Sequence, residues 1–248
     1  MAVIYILWLR QIKRYLRSKS RIIGSLAQPA LYMAAMGMGF GPIYSQAGEG
    51  NYLQFLAPGI VAMSLLFTSI FNGLEIIWDR QFGFLKETLV APVSRFQIML
   101  GRTLGGATVA TFQGSMVLII AYLAGFRVVS WVTALWALPI MILVSLFFTG
   151  LGTSTASLLD DAQGFQLIMN FLIMPIFFLS GALFPLKELP AFLNIIIKFN
   201  PLSYGVDGLR GALSGMAVFG LPTDLAVLVA VTVVMLAIGS YLFSKIQI

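Results

Sequence analysis

Residues 79–95 read DRQFGFLKETLVAPVSR, a short charged segment that separates two long apolar runs. The whole chain is 59% hydrophobic and only 10% charged, whereas soluble domains carry about 25% charged residues. A soluble fold of 248 residues could not bury so much apolar surface, so the sequence predicts an all-α polytopic membrane protein. The charged segment therefore has to lie outside the bilayer.

The residue types that are missing exclude several kinds of chemistry. The chain has neither cysteine nor histidine, which removes disulfides, thiol chemistry, the commonest general base and the commonest transition-metal ligand. We therefore expect no catalytic residue and no metal site. The net charge of +6 comes from Lys and Arg at the ends of apolar runs, a pattern typical of orientation in an anionic membrane and not of nucleic-acid binding.

Residues 2–19 have the pattern of an amphipathic helix, with apolar residues on one face and basic residues on the other. A basic helix with aromatic residues on its apolar face is typical of the membrane interface. The residues assigned to this interfacial helix are Trp8, Arg10, Lys13, Arg14 and Arg17. The alternative is that the segment is the polar flank of the first span.

Six apolar runs are each long enough to cross a bilayer, which takes about 20 residues. They lie near 22–42, 54–78, 97–125, 131–158, 164–184 and 223–244. With the N-terminus in the cytosol, the inner segments hold eleven Lys and Arg and the outer segments hold four. The bias predicts that both termini are cytosolic, in one transmembrane domain over residues 1–248.

The region 185–215 lies outside in this topology, yet it is mostly apolar. Pro185, Pro190 and Pro201 interrupt it, so it is too broken for a span and too apolar for a free loop. We expect two short re-entrant helices that dip into the outer leaflet, which is tolerated only against protein or a wet cavity.

Within the charged segment, residues 80–92 are expected to form a short helix. Leu85 and Leu89 lie four residues apart on one face, and Pro92 ends the helix. Ser94 is placed to cap the next span. Such a helix is either a surface elbow between spans or a docking helix for a cytosolic partner.

Two motifs resemble those of ABC-2 type transporter permeases. The first is GFL at 83–85, followed by APVSR at 91–95 and LGR at 100–102, and it is most similar to the drug-export branch typified by daunorubicin-resistance permeases. The second is FLSGALFPL at 178–186, followed by NPLSY at 200–204. The re-entrant signature comprises Gly181, Pro185, Asn200, Pro201, Tyr204, Asp207 and Arg210. The chain departs from the common GTLE pattern of the loop at Phe84 and Lys86.

The resemblance implies a half-transporter in which two permease chains, expected to be a homodimer, work with two ABC ATPase subunits. In it, the 80–92 segment is the coupling helix that docks on the ATPase, and ATP and Mg are bound by that partner. The chain contains no Gly-Lys dipeptide and hence no phosphate loop of its own. The residues assigned to ATPase coupling are Arg80, Phe84, Leu85, Lys86, Glu87, Leu89, Pro92, Ser94 and Arg95.

The same resemblance places spans one, two and five along the translocation path in the cell membrane. The candidate path residues are Phe67, Phe71, Asn72, Asn170, Met174 and Phe178. For a single apolar residue among them ordinary packing is the favoured interpretation, and for Asn170 a helix–helix hydrogen bond. An apolar path suits export of a lipophilic or amphipathic substrate such as a drug, a lipid or a lipid-linked glycan. The alternative function is an ATPase-independent secondary transporter or channel, for which Glu75, near one end of predicted span two, is the candidate intramembrane acid.

Overall fold

The structure, a computed structural model, describes residues 2–46, 50–90, 92–184 and 190–246. In these ranges the regular secondary structure is helical throughout. The first six helices are α1 (Ala2–Arg17), α2 (Lys19–Gln46), α3 (Tyr52–Phe71), α4 (Leu74–Gln81), α5 (Phe84–Val90) and α6 (Arg95–Leu123). The remaining helices are α7 (Trp131–Ala134), α8 (Ala137–Leu158), α9 (Ala162–Phe178), α10 (Ala191–Phe199), α11 (Pro201–Ser214) and α12 (Leu221–Ser244).

Four helical segments of the described chain are long and apolar enough to cross a membrane. They are Tyr52–Gln81, Arg95–Leu123, Trp131–Leu158 and Leu221–Ser244, and they coincide with predicted spans two, three, four and six. The all-α, multi-pass fold class is thereby confirmed. Predicted spans one and five fall on α2, a continuous helix that contains Pro29 and Pro42, and on α9, which has only 17 residues.

Two of the predicted spans are less regular than the sequence pattern indicates. The second is divided at Asn72–Gly73, where α3 gives way to α4. A Cβ on Gly73 would overlap the carbonyl of Gly152 in α8, and a Cβ on Gly152 would overlap the carbonyl of Ile70. The backbones of the two helices therefore touch at this break. The fifth ends at Phe178, because the chain then turns through Gly181 at a φ of 76°.

Helix α3 forms the centre of the fold, since it contacts α2, α6, α8, α9 and α11. In its most apolar 18-residue window, 83% of the residues are buried, compared with 22% in α12. Leu56, Ile60 and Leu66 are fully buried in the core. The other helices are thus arranged around α3, and α12 presents most of its surface outward.

Helix α1 lies along α6, where two glycines make room for it. A Cβ on Gly101 would come within 3.0 Å of Leu7 Cβ, and one on Gly105 would come within 2.7 Å of Gln11. The indole Nε1 of Trp8 donates a hydrogen bond to Thr108 Oγ1 at 3.0 Å. The predicted helix at residues 2–19 is therefore present but ends at Arg17, and the side that carries Leu7, Gln11 and Tyr15 packs against protein.

Candidate functional site

Two carboxylates of α4 form the centre of an ion network near the start of α2. Glu75 and Asp79 lie four residues apart, on one face of the helix, and are 2% and 5% exposed. Arg10 holds Asp79 through two bonds of 3.0 Å, and Arg102 of α6 reaches it at 2.6 Å. We call Glu75, Asp79 and the four arginines that contact them the arginine network. These arginines are Arg10, Arg14, Arg21 and Arg102.

The other two arginines of the network attach α1 and α2 to the same helix. Arg21 donates to Glu75 at 2.8 Å and to Asn72 Oδ1 at 3.1 Å. Arg14 lies 3.6 Å from Glu75 and 3.8 Å from Asp79. Four guanidinium groups therefore surround two carboxylates. In the described ranges no other acid is within ion-pair distance of these arginines, so the network carries two positive charges in excess.

The other side of α4 is attached to the turn between α8 and α9. Arg80 donates to the carbonyls of Leu159 and Ser157, each at 3.2 Å, and forms an ion pair with Asp160. Asp161 caps α9 by accepting from the Gly164 backbone N–H. Helix α4 is thus connected to α1, α2 and α6 on one side and to α8–α9 on the other.

The predicted coupling helix at 80–92 is observed as two pieces. Helix α4 runs to Gln81, Gly83 turns at a φ of 81°, and α5 follows. The guanidinium of Arg10 lies 3.8 Å above the ring of Phe84, and Leu85 is 1% exposed. Two large apolar side chains point away from the fold, because Phe82 is 84% exposed and Val90 is 81% exposed.

The remaining candidate coupling residues are divided between the surface and internal contacts. Lys86 and Glu87 are exposed, Leu89 is half-buried and Pro92 is exposed. Ser94 caps α6 by accepting from the Gln97 backbone N–H at 3.3 Å, which confirms the predicted cap. Arg95 donates to the carbonyls of Ser244 and Ile246, and thereby joins α6 to the end of α12.

The basic residues of α1 also have different surroundings. Arg10 and Arg14 belong to the arginine network, whereas Lys13 and Arg17 are exposed. Burial raises the pKa of the Tyr15 phenol, and its hydroxyl donates to Gln113 Oε1 at 3.4 Å. The exposed side of α1, which carries Lys13 and Arg17, is thus the side available to the membrane or to a partner.

A cavity of about 220 Å³, lined by both polar and apolar side chains, lies between α2, α3 and α6, next to the arginine network. Arg21 stands at its network end, and Phe67 and Phe71 line it with their rings stacked at 6.4 Å. The structure therefore brings two candidate path residues together beside Asn72. The other three candidates, Asn170, Met174 and Phe178, lie on an exposed face of α9.

The predicted re-entrant region contains α10 and α11 as a helical pair. Pro185 lies outside the described residues. Asn200 accepts from the Leu202 backbone N–H at 3.0 Å and donates to the Ile176 carbonyl at 2.7 Å, and Pro201 follows as the first helical residue. Tyr204 donates from its hydroxyl to the Lys198 carbonyl at 2.9 Å. These residues therefore fix one helix against the next.

Two charged residues of α11 bind backbone groups. Arg210 donates to the carbonyls of Gly181 at 3.0 Å and Phe55 at 3.3 Å, and its guanidinium lies 3.9 Å over the Phe55 ring. Asp207 accepts from the N–H groups of Val218 at 2.8 Å and Phe219 at 2.7 Å. The signature residues thus join α3, α9 and α11 into one unit.

Sequence reasoning missed Asp79 and Arg102 as partners and Phe82 as an exposed residue. A signal for the network was available: Arg10 and Arg14 repeat at the same four-residue spacing as Glu75 and Asp79. Matching one basic helix face to one acidic face would have suggested the contact. The exposure of Phe82 depends on the turn at Gly83, which the helical pattern does not indicate.

Comparison with known proteins identifies the family of the chain. The chain matches the ABC-2 type transporter family over residues 2–214. It is 31% identical to "Nodulation protein J" of Rhizobium leguminosarum bv. trifolii over 78% of this chain and 74% of that protein. It is 30% identical to "Putative transport permease ycf38" of Cyanophora paradoxa over 76% and 66%, respectively. It is 28% identical to "Inner membrane transport permease YadH" of Escherichia coli K12 over 90% and 87%. This multi-pass membrane protein therefore belongs to the ABC-2 type transporter family.

Proposed function

We propose that the chain is the permease subunit of an ATP-driven exporter that moves a lipophilic or amphipathic substrate out of the cytosol by alternating access. Membership of the family and the two relatives named transport permeases support the transport role. A drug, a lipid or a lipid-linked glycan would each suit a path lined by aromatic and methionine side chains. The chain itself would not be an enzyme.

The observation that carries the proposal is the attachment of α5. Its inner side is held by Arg10 above Phe84 and by the burial of Leu85, while Phe82 and Val90 are bare. A force applied to the bare side would pass through α4 into α1, α6 and the α8–α9 turn. A coupling helix needs such an arrangement, because one side has to be attached to the permease while the other side is free to contact the ATPase.

The expected partners are two ABC ATPase subunits, which would bind ATP and Mg, and a second copy of this chain. Permeases of this family generally work with an ATPase subunit. The α2 and α9 helices support the second copy. A Cβ on Gly37 or Gly41 would meet no atom within 4 Å, and Phe171 is 84% exposed. Such faces permit close packing of a second set of membrane helices.

The proposed topology keeps six spans, with α2 and α9 as the first and fifth, and places α10–α11 as re-entrant helices on the outer side of the cell membrane. Both termini would be cytosolic. The distribution of Lys and Arg supports this orientation. The position of α5, beside the arginine network and the N-terminal helix, is consistent with a cytosolic docking site.

The alternative, an ATPase-independent secondary transporter or channel, finds less support. An ion-coupled carrier needs an intramembrane acid that can exchange its ion. Glu75 and Asp79 are both held by arginines, and the buried Asp224 lies in the first turn of α12, at the end of its span.

The test is co-purification of the tagged permease with its co-expressed ABC ATPase. Phe82→Asp combined with Val90→Asp is expected to reduce ATPase recovery at least tenfold, because two apolar contacts become charged and desolvated. Both side chains are exposed, so the permease itself should remain intact. By contrast, Leu85→Asp would place a carboxylate in the core and confound docking with folding.

The matched control is Val129→Asp combined with Val132→Asp. These side chains are also exposed, at 71% and 76%, but they lie in the link between α6 and α8, on the opposite side in the proposed topology. ATPase recovery should be unchanged with this pair. Full recovery with the Phe82 and Val90 pair would refute the proposed docking surface.

A further inference from the structure

The cavity between α2, α3 and α6 has both polar and apolar walls. Ser25, Gln28, Ser64, Thr68 and Gln113 line it together with Arg21. Polar side chains at this depth are costly and usually face water or a ligand. Gln28 and Thr68 make no side-chain hydrogen bond within the described ranges. The cavity therefore offers unused polar groups.

The size of the cavity suits a small polar group. Its volume of about 220 Å³ corresponds to roughly seven water molecules at about 30 Å³ each. Arg21 and Gln28 are two turns apart on α2, so the cavity extends about 10 Å along the helix. Its inner part is apolar, with Pro29 and Met63 among the lining residues. An occupant with a polar end and an apolar end would match this gradient.

The charges around the cavity indicate that the polar end of its occupant is negative. The arginine network has two positive charges in excess, and Arg21 is its member at the cavity. Two of the five N–H donors of Arg21 are used by Glu75 and Asn72. Its side chain is 33% exposed, so the remaining donors can be reached. A nearby anion would be attracted by the whole network and not by one side chain alone.

We propose that this cavity binds the negatively charged headgroup of a single amphiphile from the cytosolic leaflet, with Arg21 as the anion contact and Gln28 and Thr68 as neutral hydrogen-bond partners. Lys13 and Arg17 of α1, both exposed near the start of α2, would attract anionic lipid towards it. The identification of this amphiphile as a transported substrate rests on the proposed function. The binding of its headgroup to the cavity does not depend on that function.

The test is lipid binding to the purified full-length chain in a neutral detergent, followed by native mass spectrometry. The probes are phosphatidylglycerol, phosphatidylcholine and soluble glycerol phosphate. We expect one phosphatidylglycerol to be retained preferentially, and Arg21→Gln to lower its apparent affinity roughly tenfold, as expected for one charge-assisted contact. Lys19→Gln removes the same charge two residues away, from an exposed side chain, and should change the affinity less than about twofold.

Gln28→Leu provides a second variant in case Arg21→Gln disturbs the arginine network. It leaves every ion pair in place and should lower phosphatidylglycerol retention several-fold, while the variant elutes as the unmodified protein does. Equal retention of phosphatidylcholine, or wild-type retention by both Arg21→Gln and Gln28→Leu, would overturn the proposal. If soluble glycerol phosphate at equal concentration displaces phosphatidylglycerol, the proposal of an amphiphile is refuted and the cavity is a site for a free anion.

This outcome is separable from that of the proposed function. Loss of ATPase co-purification leaves binding by the isolated chain unaffected. Conversely, a chain that docks its ATPase but shows no headgroup preference would refute this inference alone. Stimulation of the ATPase in the intact complex by phosphatidylglycerol, abolished by Arg21→Gln, would identify the bound amphiphile as one that the transport cycle responds to.

Discussion

The α4–α5 elbow and the α10–α11 pair hold their helices by different means. At the elbow, charged side chains pair with charged side chains from α1, α2 and α6. In the α10–α11 pair, Arg210 and Asp207 bind backbone carbonyl and N–H groups, and no ion pair is present in the described part of that region. A network in which one acid has several cationic partners can redistribute its contacts, whereas backbone bonds fix one geometry. The difference suits a mobile α4–α5 elbow and a rigid α10–α11 pair.

The largest expected effect tests the elbow side of this comparison. Asp79→Asn leaves Arg102, which is 2% exposed, without its counter-ion. Loss of one partner of a buried pair costs about 3–5 kcal/mol, so the purified variant should have a clearly lower melting temperature in detergent. The Nε and Nη1 atoms of Arg102 already lack partners, which leaves it little to compensate with.

Asp160→Asn is the matched control for this change. Its side chain is 89% exposed and pairs with Arg80, so the expected loss is at most about 1 kcal/mol. Equal melting temperatures for the two variants would show that the arginine network does not stabilise the fold.

An intermediate effect is expected at the other end. Arg210→Gln removes the bonds to the Phe55 and Gly181 carbonyls and leaves buried acceptors unsatisfied, at a cost of about 1–3 kcal/mol. Thermal unfolding should rank this variant below wild type and above Asp79→Asn. Arg127→Gln, an exposed arginine that also binds carbonyls, should stay within about 0.5 kcal/mol of wild type. The reverse ranking of Arg210→Gln and Asp79→Asn would contradict the comparison.

The smallest effects on stability are expected from the removal of two helix caps, one in each region. Asn200 is buried and makes two bonds, to Leu202 and Ile176, so Asn200→Ala should cost about 2 kcal/mol. Ser94 is exposed and makes one bond of 3.3 Å, so Ser94→Ala should cost under about 1 kcal/mol. Both are measured by unfolding in detergent. A larger loss from Ser94→Ala would indicate that the elbow is more rigid than its contacts suggest.

Much of the fold could be predicted from periodicity and composition. Long apolar runs specify membrane-capable helices because backbone groups in lipid must bond within their own segment. The Ser94 cap was predictable because a side-chain oxygen and a backbone N–H meet at a fixed local spacing. These inferences depend on neighbours in sequence.

The rest depends on contacts between distant residues. The break at Gly73 and the burial of Leu85 are decided by which helix lies opposite, and Arg10 and Asp79 are 69 residues apart. Local pattern placed Leu85 on a helix face but could not say whether that face meets protein or a partner. It likewise assigned Arg10 to the membrane interface, where the structure shows it held by Asp79.

The long separation between Arg10 and Asp79 also has a consequence for biogenesis. Ribosomes add about 5–20 residues per second, so the intervening 69 residues take several seconds to synthesise. During that interval the guanidinium groups of α1 can find counter-ions only in water and in lipid phosphates. Helix α1 would therefore stay on the anionic membrane surface, and α4 would bind it once its two carboxylates emerge. The arginines of α1 would thus pair first with lipid phosphates, which orients the chain. They would pair later with the two acids of α4, which completes the fold.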